Sequence, residues 1–397
     1  MTAMTTPPPP PWRHVPPSGY VPAAGPSNAT HRPALRRWFA VGIVLLLALL
    51  GAALLAWAIG ATVGVQAALR ATIVALIPLT VVVPAFLWLD RQEAEPITSL
   101  VLAFLWGSCI ATALSLLLNE LFAGLVWALG FDPQVVAPVV GAPLIEETTK
   151  GLGILVILAL RRREFDGVLD GIVYAGIIAA GFAFGENILY LGRAIVEGGP
   201  EALAVTFVLR AVFSPFAHPL FTIWIGVGIG LAVVGRTPLR FLAPVAGWVF
   251  AMVLHGFWNG AASLGLAGWV GSYLFIQMPV FLGALVFAVW LRYRENALVA
   301  RYLVGYAQAG LFGRDEVAML ATPKGRRAGR RWAGEVGGRR GRRAMRDFQD
   351  DAVELAFLRA RHDRGRAGPG VAQEQRVLVD SLLRARQEFT GTALPRR

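Results

Sequence analysis

An all-α fold is predicted: a polytopic bundle of about eight transmembrane helices, with a disordered amino-terminal tail and a partly helical, basic carboxy-terminal tail. The chain is 56% hydrophobic and only 16% charged, and its mean hydropathy is +0.57. Its apolar residues fall in runs of about twenty, the length a helix needs to cross roughly 30 Å of hydrocarbon. The short segments of alternating polarity that build a membrane barrel are missing.

Residues 1–37 contain ten prolines, including the run Pro7 to Pro11, and few aliphatic side chains that could form a core; disorder is expected there. The first apolar run starts at Trp38 and reaches Gly60 without a small-residue cleavage signal, which marks a retained anchor. Spans are expected at about 38–60, 71–89, 97–118, 135–160, 168–192, 203–234, 240–265 and 270–291. Residues 119–130, interrupted by Asn119 and Glu120, either extend the third helix or lie along the interface. The lone cysteine, Cys109, excludes an intrachain disulfide. Three domains follow: the tail 1–37, a membrane domain 38–291, and a basic segment 292–397.

Lys and Arg collect on the cytoplasmic side of short loops. Eight spans put Arg91, Arg161, Arg162, Arg163, Arg236 and Arg240 on the side of both termini, and leave Arg70 and Arg193 on the other. Both ends of a multi-pass membrane protein are therefore expected in the cytoplasm.

Ionisable side chains at bilayer depth cost several kcal/mol unless paired, so they are functional candidates by default. The fourth span carries Glu146, Glu147 and Lys150, the fifth Glu186 and Asn187, the sixth Arg210 and His218, and the seventh His255, Trp258 and Asn259. At 1.5 Å per residue, Glu146 lies roughly 17 Å, Glu186 about 9 Å, His218 about 22 Å and His255 about 15 Å from the outer helix ends. Groups converging on one hydrated pocket must share such a layer. Lys150 is four residues from Glu146 and three from Glu147, within reach of either. Adjacent carboxylates point about 100° apart, so one of them faces the site as general base and the other braces it. His255 and Asn259, four apart, share a face and suit an electrophile beside an oxyanion donor. The plainer readings are a structural ion-pair cluster at Glu146, Glu147 and Lys150, a packing role for His218, and an Arg210 that snorkels to the interface. Gly176, Gly181, Gly185, Gly226 and Gly230 read as close helix packing.

The set Glu146-Glu147-x-x-Lys150, Phe182-x-x-x-Glu186-Asn187, His218 and His255-x-x-Trp258-Asn259, preceded by Asp90-Arg91-Gln92-Glu93-Ala94-Glu95-Pro96, resembles the PrsW family of intramembrane proteases, distant relatives of the CAAX prenyl endopeptidases. Ala94 departs from the proline usual there, and the likeness covers about residues 85–290. It implies a peptidase that makes the first cut in a membrane-anchored regulator, such as an anti-sigma factor of a stress response, near its extracytoplasmic side. It also implies that Glu146, Glu147 and His255 are essential. Glu186, His218 and His255 form a set that can hold Zn²⁺ with a position open for water. A glutamate-activated water stabilised by His255 and Asn259 needs no metal. The H-E-x-x-H signature is absent.

Residues 292–397 hold 23 Lys/Arg against 12 Asp/Glu. The tract from Lys324 to Arg346 is read as attracted to anionic lipid headgroups, in preference to nucleic acid. Val353, Phe357 and Ala360, then Leu378, Leu382, Ala385 and Phe389, mark two short amphipathic helices that either pack on each other or dock a partner. Two functions compete with proteolysis: a transporter or proton-coupled channel, which calls for an internal repeat of broken helices, and a non-catalytic membrane protein that shelters a partner.

Overall fold

The computed structural model describes residues 32–91, 95–161, 165, 167–235, 237–363 and 370–390, all helix and connecting turn with no strand among them. The proline-rich tail up to residue 31 and the expected loop residues Gln92, Glu93, Ala94, Arg162, Arg163 and Arg236 lie outside the described residues. The folded chain divides between Leu291 and Arg292 into a membrane unit and a carboxy-terminal unit.

The membrane unit begins with α1 (Arg32–Val63) and α2 (Val65–Leu89). The third helix, α3 (Ile97–Ala128), absorbs the stretch around Asn119 and Glu120, settling it as an extension of that span. Short turns at Pro133–Val136 and Ala137–Gly141 lead into α4 (Ala142–Leu160). Next come α5 (Val168–Phe207), α6 (Ala217–Val234), α7 (Leu242–Ala262), α8 (Gly265–Ser272) and α9 (Met278–Gln308). Among the described residues, six helical segments are long and apolar enough to cross a membrane. The helix carrying Glu146, Glu147 and Lys150, α4, is not among them. The 67-residue segment Val168–Val234, one of the six, is divided at Ser214–Phe216. Eight spans are therefore an approximate count. The expected single helix 203–234 does not form: Arg210 and His218 stand on opposite sides of the Ser214 break.

Helix α5 is the hub, because its small residues let neighbours touch its backbone. A Cβ on Gly171 would sit 2.1 Å from the Gly226 carbonyl oxygen, and one on Gly226 would sit 2.0 Å from that of Gly171. The packing reading of the glycines thus holds at α5–α6. Gly107, on α3, would meet the Ile178 carbonyl at 1.9 Å if it bore a Cβ.

The carboxy-terminal unit is more ordered than a partly helical tail. It contains the end of α9, α10 (Arg314–Leu320), α11 (Pro323–Asp363) and α12 (Val371–Thr390). The basic tract is helical, and α11 is a pair of helices joined by non-helical Gly337 and Gly338. Gly341 packs against the Ala333 carbonyl and Arg330 donates to Gln349, so the two legs run antiparallel. Val353, Phe357, Ala360, Leu378, Leu382, Ala385 and Phe389 are all buried in this unit, with Leu303, Leu320 and Phe348. Both amphipathic faces are thus consumed by packing within the chain, leaving neither for a partner.

At the end of α2 the Asp90 carboxylate accepts the Glu95 backbone N–H at 2.9 Å, and burial raises its pKa to about 6. Its native value lies above that of an unfolded aspartate, so its contribution to stability is complete below about pH 4 and is lost as pH rises through about 6. Thermal unfolding in detergent should show wild type losing more stability than Asp90→Asn between those two pH values.

Candidate functional site

Lys150 and Glu147 on α4 are both 0% exposed, and the Lys150 Nζ donates to Glu147 Oε1 at 2.5 Å. The 100° offset between neighbouring helical residues decides the rest. Glu147 turns inward, where His255 Nδ1 lies 2.9 Å from the same Oε1 and the Thr222 hydroxyl donates to Oε2 at 2.8 Å. Each oxygen of Glu147 is thereby engaged.

Glu146 is different. Asn119 Nδ2 approaches its Oε1 at 3.5 Å, while its Oε2 is buried without a hydrogen-bond partner, 3.8 Å from His255 Nε2 and 4.0 Å from Lys150 Nζ. A carboxylate accepts only, so His255 donates its Nδ1–H to Glu147 and presents a lone pair at Nε2. Its Nε2 and the Glu146 Oε2 stand 3.8 Å apart, beyond hydrogen-bond distance.

His218 brings the second imidazole. Its Nε2 pairs with Glu186 Oε2 at 2.8 Å and its Nδ1 faces Lys150 Nζ at 3.3 Å. The two histidine rings stand edge to face with centroids 5.3 Å apart, and Phe221 stacks on His255 at 4.8 Å. Arg210 reaches this cluster because Gly199, non-helical with φ of +64°, turns the chain back within α5. Its guanidinium donates to Glu186 Oε2 at 2.5 Å and to Asn187 Oδ1 at 2.6 Å. Arg210 is a clamp on the site and does not snorkel.

The sequence-predicted groups Glu146, Glu147, Lys150, Glu186, His218 and His255 are thus brought together from four helices. Two placements differ from expectation. The carboxylate whose oxygen shares a 4.8 Å neighbourhood with donor nitrogens of both histidines is that of Glu146, whereas Glu186 is occupied by Arg210 and His218. Asn259 donates its amide to the Pro138 carbonyl at 2.8 Å. That carbonyl needs an outside donor: Ala142 N–H turns to Ala137 in a wide helical turn, and Pro143, the next candidate, has no N–H. In this arrangement Asn259 supports the start of α4.

Sequence reasoning missed Thr222 and the role of Asn119. Thr222 is four residues after His218 and shares its face, a signal that was available. Asn119 registered only as an interruption of an apolar run.

An unpaired buried oxygen opposite a lone-pair nitrogen, with a second imidazole alongside, suits a divalent cation, and Glu146, His218 and His255 are the residues that could hold it. Ligation through His218 requires it to release either Glu186 or Lys150.

A family model described as PrsW family intramembrane metalloprotease matches residues 95–284. The protein named Protease PrsW of Clostridioides difficile strain 630 is 34% identical over 157 residues, 39% of this chain and 62% of that protein. The protein of the same name in Geobacillus kaustophilus is 30% identical over 170 residues, 43% of this chain and 69% of its own length. In Oceanobacillus iheyensis the figures are 28% over 175 residues, 44% and 75%. The chain therefore spans less than two thirds of the first relative and somewhat more of the others. No solved structure matches it.

Glu147→Gln should cost about 3–5 kcal/mol by stranding the Lys150 ammonium in a dry interior. Glu146→Gln, at an oxygen with no hydrogen bond to lose, should unfold close to wild type in the same detergent melt.

Proposed function

Because the chain belongs to the PrsW family of intramembrane metalloproteases, we propose that it hydrolyses a peptide bond of a membrane-anchored protein, at a water activated beside the free oxygen of Glu146. The observation that carries this reading is the unpartnered Glu146 Oε2 in a cluster whose other carboxylate oxygens with named partners are hydrogen-bonded.

Each neighbour has a task. Glu147 fixes the tautomer and plane of His255, and Thr222 and Lys150 hold Glu147 in place. Arg210 holds Glu186 against His218, fixing the second imidazole. Glu146, His218 and His255 would bind the ion, for which zinc suits a two-imidazole, one-carboxylate donor set. When bound, it would polarise the scissile carbonyl and lower the pKa of a coordinated water. One observation favours a metal-free variant: Lys150 already supplies positive charge 4.0 Å from Glu146 and 3.3 Å from His218. There Glu146 takes the proton of water as general base.

The family likeness points to a single-span regulator, such as an anti-sigma factor, as the protein cut near its extracytoplasmic side. The arginine bias of the short loops supports both termini in the cytoplasm, and the organisms of the relatives support a prokaryotic plasma membrane.

Co-expression with tagged single-span regulators should show cleaved fragments with wild type and at least ~100-fold less with Glu146→Gln or His255→Ala. Unchanged processing in both variants would sink the peptidase reading, and ion flux in liposomes carrying the wild type would favour the transporter. Elemental analysis separates the two chemistries: bound zinc lost in both variants, with cleavage abolished by chelator, marks the metal-dependent one.

A further inference from the structure

The family match ends at residue 284, so nothing in it accounts for the carboxy-terminal unit. Its most distinctive surface is the antiparallel helix pair α11. Between Lys324 and Arg346 there are ten Lys/Arg and one acid, Glu335. The core of the unit uses two of these cations: Arg326 donates to Asn296 at 3.2 Å and Arg330 to Gln349 at 2.5 Å. The others lie on the outside. Arg331, Arg339, Arg342 and Arg343 are exposed and have no ion pair among the described residues, and Arg340 makes only an exposed 3.6 Å contact with Glu388.

Geometry concentrates them. The legs join at Gly337 and Gly338, where Gly338 takes φ of +59°. At 1.5 Å per residue, Arg331 on the first leg and Arg343 on the second both stand within about 9 Å of the joint along the helix axes. The tip also displays Val336, 55% exposed, an apolar side chain among cations. The close approach of Gly341 to the Ala333 carbonyl holds the legs together behind it, so the arginines are presented by a formed surface.

We propose that the tip of this helix pair is a docking surface for anionic phospholipid headgroups, with the arginines bound to phosphates and Val336 inserted at the interface. A cluster of guanidinium groups matches phosphate oxygens in charge and in paired hydrogen-bond geometry. Nucleic acid offers phosphates too. Lipid is favoured because the unit follows directly on a transmembrane helix, which tethers it at a membrane surface, and because an exposed valine at the tip gains by burial in lipid and has no partner on a phosphate backbone.

The test uses the full chain in nanodiscs, with Cys109→Ala removing the native thiol and Val336→Cys carrying an environment-sensitive fluorophore. Emission should shift to the blue in discs of phosphatidylcholine and phosphatidylglycerol in equal parts, relative to phosphatidylcholine alone, and high salt should reverse the shift. Each arginine near an anionic surface is worth a factor of about five in binding. Replacing Arg331, Arg339, Arg340, Arg342 and Arg343 with Gln should therefore abolish the shift, while a melt of the same variant reports an intact fold. Identical emission in the two kinds of disc overturns the proposal. So does a shift evoked in phosphatidylcholine discs by a duplex oligonucleotide but not by phosphatidylglycerol. The readout is independent of proteolysis and stands or falls apart from it.

Discussion

A lysine ammonium closed off from solvent on α4 is the constraint around which the site is arranged. Lys150 cannot stay charged in an apolar interior without a carboxylate in contact, and Glu147 supplies one from the same helix face. That pairing commits Glu147 to the interior and makes it a fixed acceptor for Thr222 and His255. The adjacent residue is then forced onto a different azimuth, so Glu146 keeps an oxygen with no hydrogen bond. Two chemically identical side chains, one residue apart, become a fully bonded acceptor and a carboxylate with an unbonded oxygen because only one of them lies close enough to hydrogen-bond the lysine.

The convergence also depends on helices that are not continuous. Backbone polar groups inside a membrane must be satisfied, so irregular turns survive only where side chains replace the missing bonds. Asn259 serves the Pro138 carbonyl, the Ser214 hydroxyl serves the Leu209 carbonyl at 2.6 Å, and the Tyr273 hydroxyl serves the Phe213 carbonyl at 2.8 Å. The last two flank the break that frees His218 from the rigid course of a preceding helix. Trp106 likewise sits at a wide turn of α3 and donates to the Thr149 carbonyl at 2.9 Å, clamping α3 onto the helix that carries both glutamates.

The carboxy-terminal unit follows a different logic. Its core is built from helices that are mostly polar outside, and the largely buried Arg386 is bonded to Glu316 at 2.8 Å and placed over the rings of Phe312 and Phe348. An arginine there tolerates burial because its broad face packs on aromatic rings while its edge is hydrogen-bonded. The chain thus joins two units with opposite surfaces, one apolar outward and one strongly cationic.

Much of this was legible in sequence. Hydrophobic run length gave the all-α membrane bundle, since the width of a bilayer imposes it on any spanning helix. The expense of charge in lipid marked Glu146, Glu147, Lys150, Glu186, His218 and His255, all of which meet. Sequence left open which glutamate is free, did not foresee the bond from Asn259 to Pro138, and drew 203–234 as one helix. Those points turn on azimuth, on the missing N–H of Pro143 and on the reversal at Gly199, and each is set by contacts between segments far apart in the chain. Local pattern determines which residues are too costly to stand alone in lipid; only the packed helices decide which partner each one finds.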